Sequence, residues 1–146
     1  MYNLIKNLHS YWAFLVLGVI VVTVVGAFIG LASKKVYTAK AFRLALFGLI
    51  VSHLQLMIGM ILYFVSPRFA LWGELGAGVM SNSLARLYLV EHPIVNILAI
   101  VCITKGYSKH KKKRNSKVKY KIIALFYLIG LVLLASRIPY RMWLNW

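Results

Sequence analysis

The sequence predicts an all-α integral membrane four-helix bundle with both termini on the outer (periplasmic) side. Three observations predict it. The 146 residues are 62% hydrophobic, with a mean hydropathy of +0.79, a composition of membrane proteins rather than soluble domains. The apolar residues fall into four runs, each long enough to cross a bilayer. Thirteen of the 18 lysines and arginines, against two acids, gather in the two loops that share one side of a four-span chain, and the positive-inside rule makes that side cytoplasmic. The net charge of +16 is thus a topology signal. The apolar runs argue against a nucleic-acid partner; the lipid bilayer is the expected one.

Each element follows in turn, within a single domain and without an internal repeat. Met1 to Ser10 is short and polar, with Lys6 and His9. The first span is expected at about 11–32. It is too long for a signal-peptide core, and Lys34-Lys35 follow it as a stop-transfer signal does. The second span, about 41–65, ends at Ser66-Pro67. Arg68 to Ser83 is glycine-interrupted but carries Phe69, Leu71 and Trp72, which suits the membrane interface. The third span is expected at about 84–104, then a basic cytoplasmic loop at 105–119, then the fourth span at about 120–138 with Pro139 just past its end. Tyr140 to Trp146 reads as an aromatic, basic interfacial anchor.

The third run holds Glu91-His92-Pro93 in its middle. Ionisable groups at that depth are costly unless partnered, which makes them candidates for function. Proline removes a donor, bends the helix and frees the carbonyl of Leu89. Tyr88, His92 and Asn96 share one helix face, with Glu91 one position round. His53 lies near the middle of the second run. Counted from the outer helix ends, His53 lies roughly 18 Å deep and His92 roughly 12 Å. Two imidazoles at similar depth on facing helices can clamp one flat macrocycle, so His53 and His92 are the expected axial ligands of a non-covalently held haem b. The alternative is that each histidine bonds a neighbouring helix. One cysteine, Cys102, and no Cys-x-x-Cys-His exclude covalent haem attachment. Zinc fits poorly, because Glu91 and His92, the only adjacent ligands, point about 100° apart on a helix.

Other residues fall around this pair. Glu91, Asn96, Tyr88 or a freed carbonyl can accept the second N–H of a ligating histidine. Met57 and Met60 share the face of His53. His9 at the start of helix one suits a second haem, a propionate or a quinone head group, or is simply an interfacial histidine. His110, in the lysine-rich loop, is expected in water. The arginines are unevenly placed: the cytoplasmic side has Arg43 and Arg114 among many lysines, whereas the outer side has Arg68, Arg86, Arg137 and Arg141. Guanidinium suits bidentate carboxylate recognition, so Arg86 and Arg137 are expected to hold haem propionates. Snorkelling to lipid phosphate is the plainer reading.

Several short motifs carry a resemblance. Leu8-His9-Ser10 opens helix one, and His53-Leu54-Gln55-Leu56 is followed by Gly59 and Tyr63-Phe64-Val65-Ser66-Pro67. Glu91-His92 and Ser136-Arg137-Ile138-Pro139 complete the set. Together they resemble short bacterial four-helix membrane proteins labelled cytochrome b, or cytochrome b561-like, over nearly the whole chain. The resemblance implies a b-type haem protein of the bacterial inner membrane, with His9, His53 and His92 as signature histidines, and leaves open which two are axial. Pro93 directly after the histidine and the polar Arg137 depart from the pattern. The expected function is one-electron transfer through a single bis-histidine haem, in reach of a quinone or a larger respiratory complex. The rivals are a small accessory subunit with structural histidines, and a proton-relay subunit using Glu91, His92 and His53.

Overall fold

The computed structural model describes residues 1–143. Among them it contains four helices long and apolar enough to cross a membrane: α1 (Tyr2–Ala32), α2 (Ala39–Val65), the continuous span Ser83–Lys111 and α6 (Ser116–Ser136). The third span is built in three pieces: α4 (Ser83–Arg86), a π-turn at Leu87–Glu91 and α5 (His92–Lys111). Short helical turns fill the stretch between the second and third spans, with α3 at Leu71–Leu75, and α7 (Tyr140–Trp143) follows the fourth. The last three residues of the expected anchor Tyr140 to Trp146 lie outside the described residues.

The spans form a ring in the order α2, α1, α6, α5, with the α2–α5 seam the thinnest. One face of α1, through Val16, Ile20, Val24 and Ala27, meets Ala45 and Val51 of α2, Ala99 and Ile103 of α5, and Ile123, Ala124 and Tyr127 of α6. Tyr127, fully buried, donates to the Ala45 carbonyl at 2.7 Å, and Trp12 Nε1 donates to the Val51 carbonyl at 3.0 Å. Both satisfy polar tips that apolar surroundings would leave costly. Small residues let the helices close up: a Cβ on Gly130 of α6 would fall 2.6 Å from Ile103 Cγ1 of α5. The outward faces stay apolar, as lipid contact requires; Val22, Val25, Ile94 and Val132 are all exposed.

Two helix boundaries differ from expectation. α1 begins at Tyr2, so Lys6 and His9 lie on the helix rather than in a short polar stretch before it. α5 continues to Lys111, so the expected loop 105–119 shrinks to four residues, 112–115. Lysine is a good helix former, and Lys109 and Lys111 in the last turn oppose the helix dipole favourably. Asn115 then caps α6 by accepting from the Val118 N–H at 3.2 Å.

The third span behaves at Pro93 as its sequence demands. The proline cannot bond the Leu89 carbonyl, and the π-turn just before it absorbs the defect. Tyr63 of α2 takes up the freed carbonyl at 3.1 Å, and Trp72 Nε1 donates in turn to the Tyr63 hydroxyl at 2.9 Å. A small second core of Val79, Ala85 and Leu89 packs on Tyr63, Leu71 and Val90. The segment between the second and third spans is thereby folded onto the end of the bundle.

Candidate functional site

Polar groups from four elements converge where α1 begins and α6 ends. His9 of α1 and His92 of α5 approach edge to face, with ring centroids 6.2 Å apart and planes at 72°. His92 Nδ1 is 2.8 Å from the Arg137 carbonyl, at the C-terminus of α6. A carbonyl only accepts, so Nδ1 carries the proton and Nε2 is left with its lone pair. The bond also satisfies one of the orphan carbonyls of a helix end. His9 is positioned by α2. Gln55 Nε2 donates to the His9 carbonyl at 2.9 Å and lies 3.5 Å from His9 Nε2. Gly59, one turn on, makes room for the ring: a Cβ there would sit 3.0 Å from His9 Cε1. His9 Nδ1 is buried with no hydrogen-bond partner.

Charge borders the pair. Glu91 Oε1 accepts from Arg86 Nε at 2.8 Å, and its Oε2 lies 3.8 Å from Arg137 Nε. Arg86 also donates to the Met80 carbonyl at 2.7 Å, which ties the folded segment to the third span. The two arginines expected to serve carboxylates from outside the protein therefore face one of the protein's own two acids. Glu91 in turn serves guanidiniums, and no bond joins it to the His92 ring.

The expected clamp of His53 and His92 is not formed. His53 is exposed on the α2–α5 seam, its Nδ1 donating back to Leu49 of its own helix at 2.8 Å. Its Nε2 meets Thr104 Oγ1 at 3.4 Å. Thr104 lies twelve residues beyond His92 on the same helix, about 18 Å along the axis. Two rings so far apart cannot share one metal. The physical reason is that the helix ends used to count depth are not level, because the first turns of the third span pack on Tyr63 and Leu71 rather than in the main core.

The remaining expected residues have other partners. Asn96 Nδ2 donates to the main-chain carbonyl of His92 at 2.6 Å, bracing the helix rather than the ring. Tyr88 lies under the Arg68 guanidinium, 4.0 Å from ring centroid to Cζ. Met57 and Met60 are exposed. His110, expected in water, is instead fully buried against Tyr37, Phe42 and Tyr107, because α5 runs on past the lysines and carries it inward. Among the described residues no group of three or more His, Cys, Asp or Glu side chains could hold a metal ion. Sequence reading set Gln55 apart from the histidines, whereas it meets His9. The available signal was its i, i+4 relation to Gly59, a polar group and a gap on one face.

No protein-family profile, curated protein or solved structure matches this chain.

Proposed function

We infer that the protein is a membrane b-type cytochrome, in which His9 and His92 would hold one haem that would exchange electrons singly. One observation carries the reading: two imidazoles from different helices stand 6.2 Å apart, centroid to centroid. Two imidazoles bound to opposite faces of one metal, with bonds of about 2 Å and each ring centre about 1 Å further, give about 6 Å. The nitrogens suit the role. His92 is fixed by the Arg137 carbonyl through Nδ1, the outer-shell bond that orients a ligating histidine. His9 Nδ1 has no partner; to hold the iron through it the ring would carry its proton on Nε2, and the 3.5 Å approach of Gln55 Nε2 would then not be a hydrogen bond. The resemblance to cytochrome b561-like proteins points the same way.

Haem iron, when bound, supplies the one-electron exchange. The chain's part is to hold it. Gln55 and Gly59 set the position of His9, and the Arg137 carbonyl sets that of His92. The Arg86 and Arg137 guanidiniums are partly exposed and paired to Glu91. They would offer their remaining donors to propionates while Glu91 keeps them in place. His53, on the seam, takes no part.

The positive-inside rule puts the lysine-rich end in the cytoplasm and the histidine site on the outer side of a bacterial inner membrane. A membrane quinol is the donor that such a depth favours. The test is a reduced-minus-oxidised spectrum with a pyridine haemochrome assay. A six-coordinate b haem at one per chain is expected. His9→Ala and His92→Ala should each abolish it, and His53→Ala should not. A colourless protein, made with ample haem, would refute the reading. Stable co-purification without colour would favour an accessory subunit whose histidines only pack. The proton-relay alternative is weakened by the engagement of Glu91 with two guanidiniums.

A further inference from the structure

At the lysine-rich end, α1 and α6 part to leave an open cleft of about 520 Å³. Lys34 and Lys35 border it from the end of α1, and Lys117 and Lys121 from the first turns of α6, with Gly30 and Ser116 between them. We propose that this cleft binds the phosphate group of an anionic lipid headgroup.

Four observations carry the proposal. First, four lysines, two just past the end of α1 and two on α6, line one concavity, and no acid answers them: Glu74 and Glu91, the two acids of the chain, lie at the far end of the bundle. Any anion in the cleft would therefore come from outside the chain. Second, its level is that of a headgroup. Lys34 and Lys35 follow directly on the apolar span Tyr2–Ala32, and Lys117 and Lys121 open the span Ser116–Ser136. Third, its walls are fixed. Tyr37 N–H donates to Ser116 Oγ at 2.9 Å, Tyr120 donates to the Val36 carbonyl at 3.2 Å, and the Tyr120 ring lies directly over Gly30. The link from α1 is thereby pinned onto α6. Fourth, Lys34 adopts a positive φ of 51°, a conformation unfavourable for a residue with a Cβ. It caps the end of α1, with the Lys34 N–H on the Leu31 carbonyl at 3.3 Å and the Lys35 N–H on the Gly30 carbonyl at 3.0 Å, and so fixes the two lysines at the cleft's edge. Basic pockets between transmembrane helices at a membrane surface are suited to phosphorylated headgroups. The lysines of 109–113 lie outside the cleft and supply only diffuse charge.

The experiment is native mass spectrometry of the full chain released from nanodiscs of mixed phosphatidylglycerol and phosphatidylcholine. Retention of phosphatidylglycerol in preference to phosphatidylcholine is expected. Lys117→Gln with Lys121→Gln should lower that retention by about fivefold for each lysine removed. Lys111→Gln with Lys112→Gln, an equal change of charge outside the cleft, should lower it clearly less. Helix content by circular dichroism must match across the variants. If the Lys34–Lys35 pair cannot be replaced without loss of folding, the α6 pair suffices, since it lies beyond the first span. Equal losses in both double variants would mean diffuse attraction and overturn the site. Release of the lipid by millimolar inorganic phosphate would show a soluble phosphate to be the ligand and overturn the lipid assignment.

Discussion

The two ends of this bundle each bury histidine, and they do so to different effect. At the lysine-rich end His110 is fully buried among aromatic rings, its Nδ1 tied to Tyr107 of its own helix at 2.6 Å. Tyr37, Phe42 and Tyr107 surround it at centroid distances of 5.0 to 5.5 Å. No second imidazole or carboxylate approaches it among the described residues. At the opposite end His9 and His92 come from separate helices, and Gln55, Glu91, Arg86 and Arg137 gather round them. Both places leave a buried ring nitrogen without a partner, His110 Nε2 and His9 Nδ1. An orphan nitrogen therefore does not mark a site by itself. What separates the two ends is convergence: one is a packed plug, the other a meeting of groups that packing alone does not require.

The widest contrast comes from truncating each histidine. His110→Ala removes a fully buried ring from a closed aromatic cluster, and large-to-small changes of this kind cost about 3 kcal/mol. It should lower the thermal unfolding midpoint in detergent markedly and leave any haem band in place. His9→Ala and His92→Ala should do the reverse, removing the haem band at smaller cost to the apoprotein. If His110→Ala removed the haem and His92→Ala did not, the roles assigned to the two ends would be exchanged.

Next in size is Gly59→Ala. The added methyl would meet His9 Cε1 at 3.0 Å, closer than comfortable packing, and the ring must yield. A strained contact of this kind costs about 1 kcal/mol. If the chain holds haem as proposed, its spectrum and potential should shift although residue 59 carries no polar group. Gly18, which has nothing within 4 Å of such a methyl, is the control and should leave the spectrum as it was when changed to alanine.

These contrasts also show what the sequence makes legible. The four spans follow from apolar runs, and the freed Leu89 carbonyl follows from Pro93 alone, because both are local consequences. Helix length beyond the membrane was not legible: Lys105 to Lys111 looks like a loop by polarity, yet lysine favours helix, and His110 rides inward on it. The relative height of facing helices was not legible either. His53 meets Thr104 and His9 meets His92 through registers set by Tyr63 against Leu89, Trp12 against Val51 and Gln55 against the His9 carbonyl. Counting residues from helix ends assumes that the ends are level. Here the third span begins with turns packed on Leu71 and Tyr63, and that assumption set His53, rather than His9, opposite His92.

Glu91→Gln tests the charged border. The carboxylate is 28% exposed, and its partners Arg86 and Arg137 are 36% and 51% exposed. Solvent screening limits such pairs to less than about 1 kcal/mol. A small loss of stability is expected, together with a shift of haem potential to higher values if positive charge is freed beside the iron. A potential that moves lower would mean that the arginines do not face the haem.

The smallest effect sharpens the opposite end. The Tyr37 hydroxyl is buried without a partner, so it gains nothing from its surroundings and has lost its water. Tyr37→Phe should leave stability unchanged or raise it by up to about 1 kcal/mol, unlike Tyr127→Phe, which breaks the 2.7 Å bond to Ala45. Burial, then the nearby Tyr120 and Tyr107, push the Tyr37 hydroxyl above the ordinary tyrosine range. The unfolded chain then releases this proton first as pH rises past about 10, so the folded state loses stability there. Tyr37→Phe should remove that portion of the alkaline loss and change nothing at neutral pH through ionisation. Unfolding midpoints measured from neutral to alkaline pH on both proteins check it: curves that stay parallel would mean that Tyr37 ionises as readily in the folded chain as in the unfolded one, and that this end of the bundle is wetter than its packing implies.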